Sequence, residues 1–547
     1  MRELSEQTRR LLERLPPRPR PSWLLQSWQY VWRSPFYSRH ANVFKAIETS
    51  GEAAAILYIR DWLISKDRQT RAHAAATVQS LAQRLVSRDY VWLDQTMRVT
   101  YLNAYAWLNE LTPKLLRTLA RTTENSSVLV KMASMHGSGH VREQSIKLMR
   151  ELATDGNVLP YMLIRCADWV EQVRSEAAAA VGERLLPRFA LDFVLHLPLV
   201  KRLQECERSL PENLLRDIST FLTSAACSNA LREGFTYRDA VVRRESFACM
   251  LASSRERLID IINLGMSAND DVVRRRAAEA AINGLACDEL RTQLTYFAED
   301  RSMPVRRIAL HSLASRFPDI ATSFLERSLL DRHASVRESA RYWIRQREPE
   351  RDFRNHYATR INTATGHALT AVIAGIGECG NASDIRLLDP FLTVGLPRNR
   401  RAALKACYRL DPASVMPKLL VALVDVCPAN SRLATCLIRR QSFGLHADEL
   451  IALAESIQLS HAHRNLLTIL ARINSWRSLS AILAACRHHD PEVSSQAGQS
   501  LRVFATRPSI PVGSASEMAE AYGQFLMTDK GKVQPIAGQL EFMFKRD

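Results

Sequence analysis

The chain has 547 residues, 46% hydrophobic and 24% charged, and reads as a soluble, folded protein. Its 74 Lys and Arg against 57 Asp and Glu give a formal net charge of +17, which favours polyanions, acidic protein surfaces or anionic membranes as partners. No run approaches the ~18 uninterrupted apolar residues that a membrane span needs.

Only 11 of the basic residues are lysine and 63 are arginine. A GC-rich coding sequence favours arginine by itself, so placement rather than number carries information. The ten cysteines are scattered without a CxxC pair. Several, such as Cys249 and Cys407, fall where a small apolar residue is wanted, the pattern of buried reduced thiols in a cytoplasmic protein.

In chain order, residues 1–22 are charged and proline-rich, with no apolar core for a secretory signal. WLLQSWQYVWRSPFY (Trp23–Tyr37) holds three of the nine tryptophans. It is expected to cap a repeat array; the sharper alternative is an aromatic docking or base-stacking surface. Residues 23–137 read as this helical cap followed by divergent repeats, with Thr70 before Arg71 marking an early unit. In MHGSGH (Met135–His140), Ser138 is expected to cap a helix N-terminus rather than to build an anion nest.

From residue 138 to 504 a unit of about 31 residues recurs. Taking the valine before the first arginine as position 1, anchors fall at Val242, Val273, Val305, Val336, Ala368, Asn399, Asn430, Ala462 and Val493. Val141 and Val173 belong to the same register, with a looser unit around Leu214–Leu222 between them and Val242. Positions 1, 5, 8, 9 and 12 tend to be apolar or small, which makes one buried stripe on an α-helix. A second apolar segment, such as LRTQLTYFAED (Leu290–Asp300), completes a helical hairpin that buries its stripe only by stacking on neighbours. Beyond Phe504 the register is lost: Ser516–Asp529 is expected as a closing helix and Gly531–Phe544 as a short hairpin or extended tail.

The D-x-x-V-R motif (Asp270, Val273, Arg274; Asp239, Val242, Arg243) with the small residues after it, and GHALTAVIAGIGECG (Gly366–Gly380), resemble the HEAT family in its short, bilin-lyase-type variety. The resemblance implies an all-α fold, a right-handed α-α superhelix of about 11–14 hairpins, with residues 505–547 as a terminal cap or tail. It also implies that the position-2 arginines (Arg142, Arg174, Arg243, Arg274, Arg306, Arg337, Arg400) form a structural ladder by pairing with turn aspartates of neighbouring units. Asp239 and Asp270 also suit a helix N-terminus, where a carboxylate caps free N–H groups.

Position 3 points away from the buried stripe at 100° per residue. It is arginine at 244, 275, 307, 401, 432 and 464, and position 10 on the same face adds Arg345, Arg439 and Arg502. A cation in the first turns of a helix is disfavoured by the dipole, so helix propensity does not ask for this row. The resemblance places the second helix of each hairpin on a concave side, so the row is expected to face a groove and hold a polyanion, nucleic acid first of all. The alternatives are an adaptor gripping an acidic protein partner, or a solvated face whose arginines pair with acids such as Glu245 and Glu279.

No catalytic motif of the phosphate-loop, zinc-protease or nucleophile-elbow type is present. The His-Glu dipeptides by which HEAT-like deoxyhypusine hydroxylases bind iron are also missing. His461/His463 or His488/His489 would bind a metal only with a third ligand. Trp343, Asp331 and Arg345 lie within one unit, yet match no motif of the HEAT-type DNA glycosylases, and nothing marks a bilin-lyase chromophore site. The expectation is a non-enzymatic scaffold with no cofactor and no metal.

Overall fold

The computed structural model describes residues 4–15, 37–99, 105–122, 126–153, 155–206, 213–253, 256–441, 446–507, 509–529, 531 and 536–544. Most of the Trp23–Tyr37 segment lies outside them, as do residues 16–22. The fold is all-α: helix follows helix along the chain, and among the described residues the only β pairing is an isolated bridge between Ser475 and Val512. The chain divides into two units, Met1–Cys287 and Asp288–Asp547, each a stack of helical hairpins.

The anchors sit near the start of one helix in each hairpin. In the first unit these helices include Gly139–Leu152, Glu171–Gly182, Ala240–Ala252 and Asp271–Gly284. In the second they are Met303–Arg316, Ala334–Arg347, Gly366–Cys379, Pro397–Leu410, Pro428–Ile438, Ser460–Leu470 and Pro491–Ala505. Each buries one stripe, for example Val273, Ala277 and Ala281, or Val305, Ala309 and Leu313. From Gly366 to Ala505 each anchor helix packs directly on the next.

Two anchors break the apolar rule and are still buried. Asn399 Oδ1 accepts a hydrogen bond from the Thr370 hydroxyl at 2.6 Å, and Asn430 Oδ1 accepts one from Arg401 Nε at 3.1 Å. Asn430 Nδ2 donates to Pro397 O and Asp425 Oδ2. A buried amide is tolerated there because the preceding hairpin satisfies it.

The arginine after the anchor has a repeated geometry. Its Nη1 donates to carbonyls five or six residues earlier, in the turn that leads into its own helix. Arg71 reaches Ser65 O and Lys66 O, Arg142 reaches His136 O and Gly137 O, Arg174 reaches Asp168 O and Trp169 O, and Arg306 reaches Asp300 O and Arg301 O. Arg243, Arg274, Arg337 and Arg400 make the same turn contact.

The other edge of the fork reaches a carboxylate of the next hairpin. Arg142 grips Asp168 at 2.9 and 2.8 Å, Arg306 grips Asp331 at 2.7 and 2.8 Å, and Arg400 grips Asp425 at 2.7 and 2.8 Å. Each of these aspartates also accepts from the backbone N–H two residues on: Val170, His333 and Cys427. The carboxylate thus fixes a turn while the guanidinium fixes its register to the preceding hairpin.

The remaining position-2 arginines depart from this. Arg337 turns to Glu378 on the Gly366–Cys379 helix, Arg274 to Asp271 of its own helix, and Arg243 lies 3.7 Å from Asp270. Ser138 stands at the N-cap but makes no side-chain cap; its N–H donates to His136 Nδ1, and Arg142 occupies the adjoining carbonyls.

At the C-terminus, Ala515–Met527 is a helix with a capping box between Ser514 and Glu517. The hairpin or extended tail expected over Gly531–Phe544 is corrected: Ala537–Phe544 is helical. Ile536, Leu540 and Met543 share one helical face and are buried, and Phe544 stacks on Trp476 at 5.2 Å. Helical spacing of these apolar residues outweighs the glycines and proline that suggested a turn.

Replacing Arg306 with Met leaves Asp331 without its partner and should lower the unfolding free energy by about 3 kcal/mol. Arg307→Ala, one residue on and exposed, should change it by less than ~0.5 kcal/mol in the same urea titration. The ladder also predicts a pH dependence. Burial pushes the Asp425 carboxyl up, but hydrogen bonds from Arg400, the Cys427 N–H and Asn430 outweigh it and hold the carboxyl at about 2, below the ordinary 3.8. A depressed folded-state value stabilises the fold above the ordinary value and is lost as pH falls. The stability difference between the parent and Asp425→Asn should therefore be full above pH 3.8 and shrink as pH falls through about 2.

Candidate binding site

The outward face of the anchor helices carries the position-3 and position-10 arginines, and they meet different surroundings. In the first unit, Arg244 Nε lies 2.9 and 3.1 Å from the two oxygens of Asp270, so its charge is matched. Arg275 lies 3.7 Å from Glu279, with both side chains about half exposed. The cavity beside Arg244 is lined by Arg238 and Arg243 but also by Asp270 and Asp271. On this face carboxylates stand among the arginines.

In the second unit, Arg307 is exposed and makes no ion pair among the described residues. The Arg345 guanidinium lies over the Phe353 ring at 5.4 Å. Arg439 and Arg502 are exposed. Arg432 lines a small cavity with His461, Arg464 and Asn465, and Arg464 pairs there with Glu492 at 2.6 Å. The nine arginines therefore do not form one row of uncompensated charge.

A more concentrated arrangement lies among the helices Ala334–Arg347, Gly366–Cys379 and Pro397–Leu410. They enclose a trough of about 460 Å³. Its floor is Thr370, Ala374 and Gly377, small residues at positions 3, 7 and 10 of the same unit. Gly377 is required by close approach: a Cβ there would stand 2.6 Å from Ala406 Cα. One wall is a stripe of Arg398, Arg401, Lys405 and Arg409, spaced by three, four and four on a single helix. Opposite stand Arg332 and His333, at the start of the Ala334–Arg347 helix.

The only carboxylate lining the trough is already engaged. The Glu378 side chain is 7% exposed and accepts from both Arg337 and Arg341, the latter at 2.8 Å. Arg341 also donates to the Tyr357 hydroxyl, which donates to Leu329 O. Two guanidinium groups share one carboxylate, so the floor itself retains a net positive charge. Arg401 Nε is held by the neutral Asn430 amide, which orients the fork without cancelling its charge. Arg398 Nε is buried without a hydrogen-bond partner.

Of the cations that line the trough, comparison of the repeats picks out Arg401 in the outward row and Arg337 in the ladder. The signal for the others was the 398/401/405/409 spacing within one helix, beside small residues at the matching positions of the helix before it.

Of the other residues considered, Asp331 is held by Arg306, Trp343 packs edge-on against His311 at 5.2 Å, and Arg345 covers Phe353. Among the described residues no group of three His, Cys, Asp or Glu is arranged to hold a metal, and no helix is long and apolar enough to cross a membrane.

No family model matches this chain, and no curated protein sequence matches it. Solved structures of large helical-repeat proteins overlay on it loosely. Importin beta in an ammonium sulfate condition is 13% identical with a TM-score of 0.35, over 93% of this chain and 71% of that one. Kap95p, in a study of its binding to RanGDP, is 11% identical with a TM-score of 0.32, over 90% of this chain and 66% of that one. The karyopherin Kap121p bound to the extreme C-terminus of the protein phosphatase Cdc14p is 12% identical with a TM-score of 0.31, over 93% and 64%. The chain thus spans about two thirds of the length of these proteins, and overlaps this loose leave partner and function to be read from its own surface.

Glu378→Gln removes the charge that Arg337 and Arg341 share. It should destabilise the second unit by about 3 kcal/mol, read as a lower urea midpoint.

Proposed function

We propose that this protein is a non-enzymatic binding scaffold whose second unit grips an acidic segment of a partner protein in the trough between the Ala334–Arg347 and Pro397–Leu410 helices. The observation that carries this is the charge inventory: six cations line the trough, and its one carboxylate is held by one of them, Arg337, together with the buried Arg341. A bound carboxylate-rich segment would supply the missing negative charge and accept from guanidinium forks already oriented by their surroundings.

Nucleic acid, the other polyanion considered, is less well served. A duplex is engaged through many evenly spread backbone contacts. Here Arg244 and Arg464 are matched by Asp270 and Glu492. Single strands are bound on aromatic platforms as well as cations. Apart from the His333 imidazole, no aromatic ring lines the trough.

The test is fluorescence anisotropy with labelled oligo-glutamate and, separately, a labelled duplex of about 20 base pairs. The peptide should bind at low salt, and Arg398→Glu with Lys405→Glu should weaken it at least about tenfold, with thermal melting nearly unchanged. Duplex binding with a salt slope of several phosphates, without peptide binding, would replace this reading with the nucleic-acid one.

A further inference from the structure

The dimensions of the trough say more than its charge, and the inference rests on the acidic-partner reading above. From Arg398 to Arg409 the cationic wall runs eleven residues of helix, about 16 Å at 1.5 Å per residue. The trough is open along one side, so only the inward half of a guest enters it. Over 16 Å that half is more than ~600 Å³ for an α-helix about 10–12 Å across, but ~400 Å³ for an extended chain about 4.8 Å wide in a layer about 10 Å thick. The trough holds about 460 Å³, which suits the extended chain and not the helix. At about 3.3 Å per residue, five extended residues span the wall.

The spacing along the wall sets the pattern of the guest. Arg401, Lys405 and Arg409 follow one another at intervals of four residues, about 6 Å of helix rise. In an extended chain the side chains on one face recur every second residue, at about 6.6 Å. Acidic side chains at i, i+2 and i+4 therefore meet three successive cations, while the residues between them face the opposite way. The floor of Thr370, Ala374 and Gly377 offers no bulk to hold the guest's backbone off the wall. Arg332 and the first residues of the Ala334–Arg347 helix close the far side with further positive charge.

We infer that the trough binds an extended peptide segment of about five residues with acidic side chains at alternate positions, laid along the Gly366–Cys379 helix with its carboxylates on Arg401, Lys405 and Arg409.

The experiment compares labelled peptides of equal charge and length on the full chain at low salt, by fluorescence anisotropy. One alternates glutamate and alanine, one carries its three glutamates in a block, and one places them four apart. The alternating peptide should bind at least about fivefold more tightly than either isomer. Lys405→Glu with Arg409→Glu should weaken it at least about tenfold. Ala374→Leu fills the floor without changing charge and should weaken it at least about fivefold, its fold checked by melting; if that variant unfolds, the isomer comparison and the charge reversals decide alone.

Equal affinity for the three isomers, or tighter binding of the four-spaced one, overturns the extended, alternating guest. If the charge reversals still abolish binding in that case, the acidic-partner reading survives. No binding of any peptide to the folded protein overturns both.

Discussion

The arginine that follows seven of the eleven anchors is the interaction on which the rest depends. A helical hairpin of about 31 residues cannot bury its own apolar stripe and is stable only when its neighbours hold a fixed register. The guanidinium supplies that register with one rigid group. Its Nη1 closes the turn before its own helix, as Arg306 does on Asp300 and Arg301, and its Nε and Nη2 clamp an aspartate that shapes the following turn, as on Asp331. A lysine, with one point charge on a flexible stem, could not serve both edges at once. Because the contact links turns, it leaves the anchors free to vary, and Asn399 and Asn430 are accommodated where valine stands elsewhere.

The same requirement decides which charges remain outside. Where a turn aspartate meets two adjacent arginines, it can satisfy one well. Asp270 accepts two contacts from Arg244 Nε and leaves Arg243 at 3.7 Å. Position 3 is therefore not reserved for the surface; in that hairpin it has taken part of the structural role. In the second unit the trade runs differently. Arg337 finds Glu378 rather than a turn aspartate, Arg341 joins it, and the nearest carboxylate is drawn inward. The outward cations beside it are left uncompensated.

The hairpin repeat was legible because its evidence is distributed: one buried stripe, one period and one arginine recur until coincidence is excluded. The early unit at Arg71 shows the same turn geometry as the later ones. The site was legible only in part. Comparing one position across units picks out Arg401 but passes over Arg398, Lys405 and Arg409, whose relation is within a helix. Pairing was illegible for a different reason. Arg244 and Arg243 are equally plausible partners for a carboxylate 26 or 27 positions away, and only the packed angle of the helices chooses between them. The closing helix Ala537–Phe544 was missed because its stabilisation comes from packing, Phe544 against Trp476 nearly seventy residues earlier in the chain.

The trough lies where the repeat is least regular, and the irregularities are connected. The Gly366–Cys379 helix carries Leu369 where the ladder arginine belongs, so it makes no clamp of that kind. Arg337, the ladder arginine of the preceding anchor helix, reaches no turn aspartate and joins the two hairpins through Glu378, near the far end of the Gly366–Cys379 helix. Its outward positions are Thr370, Ala374 and Gly377 instead of long side chains, and Gly377 draws the next helix in until Ala406 lies against it. The next helix then lines the gap with its own outward stripe, Arg398 to Arg409. A solenoid built from identical hairpins would offer a uniform face with matched charges. One hairpin that holds its neighbours by a different bond creates both the space and the unmatched charge at the same place, which is what a localised binding site requires.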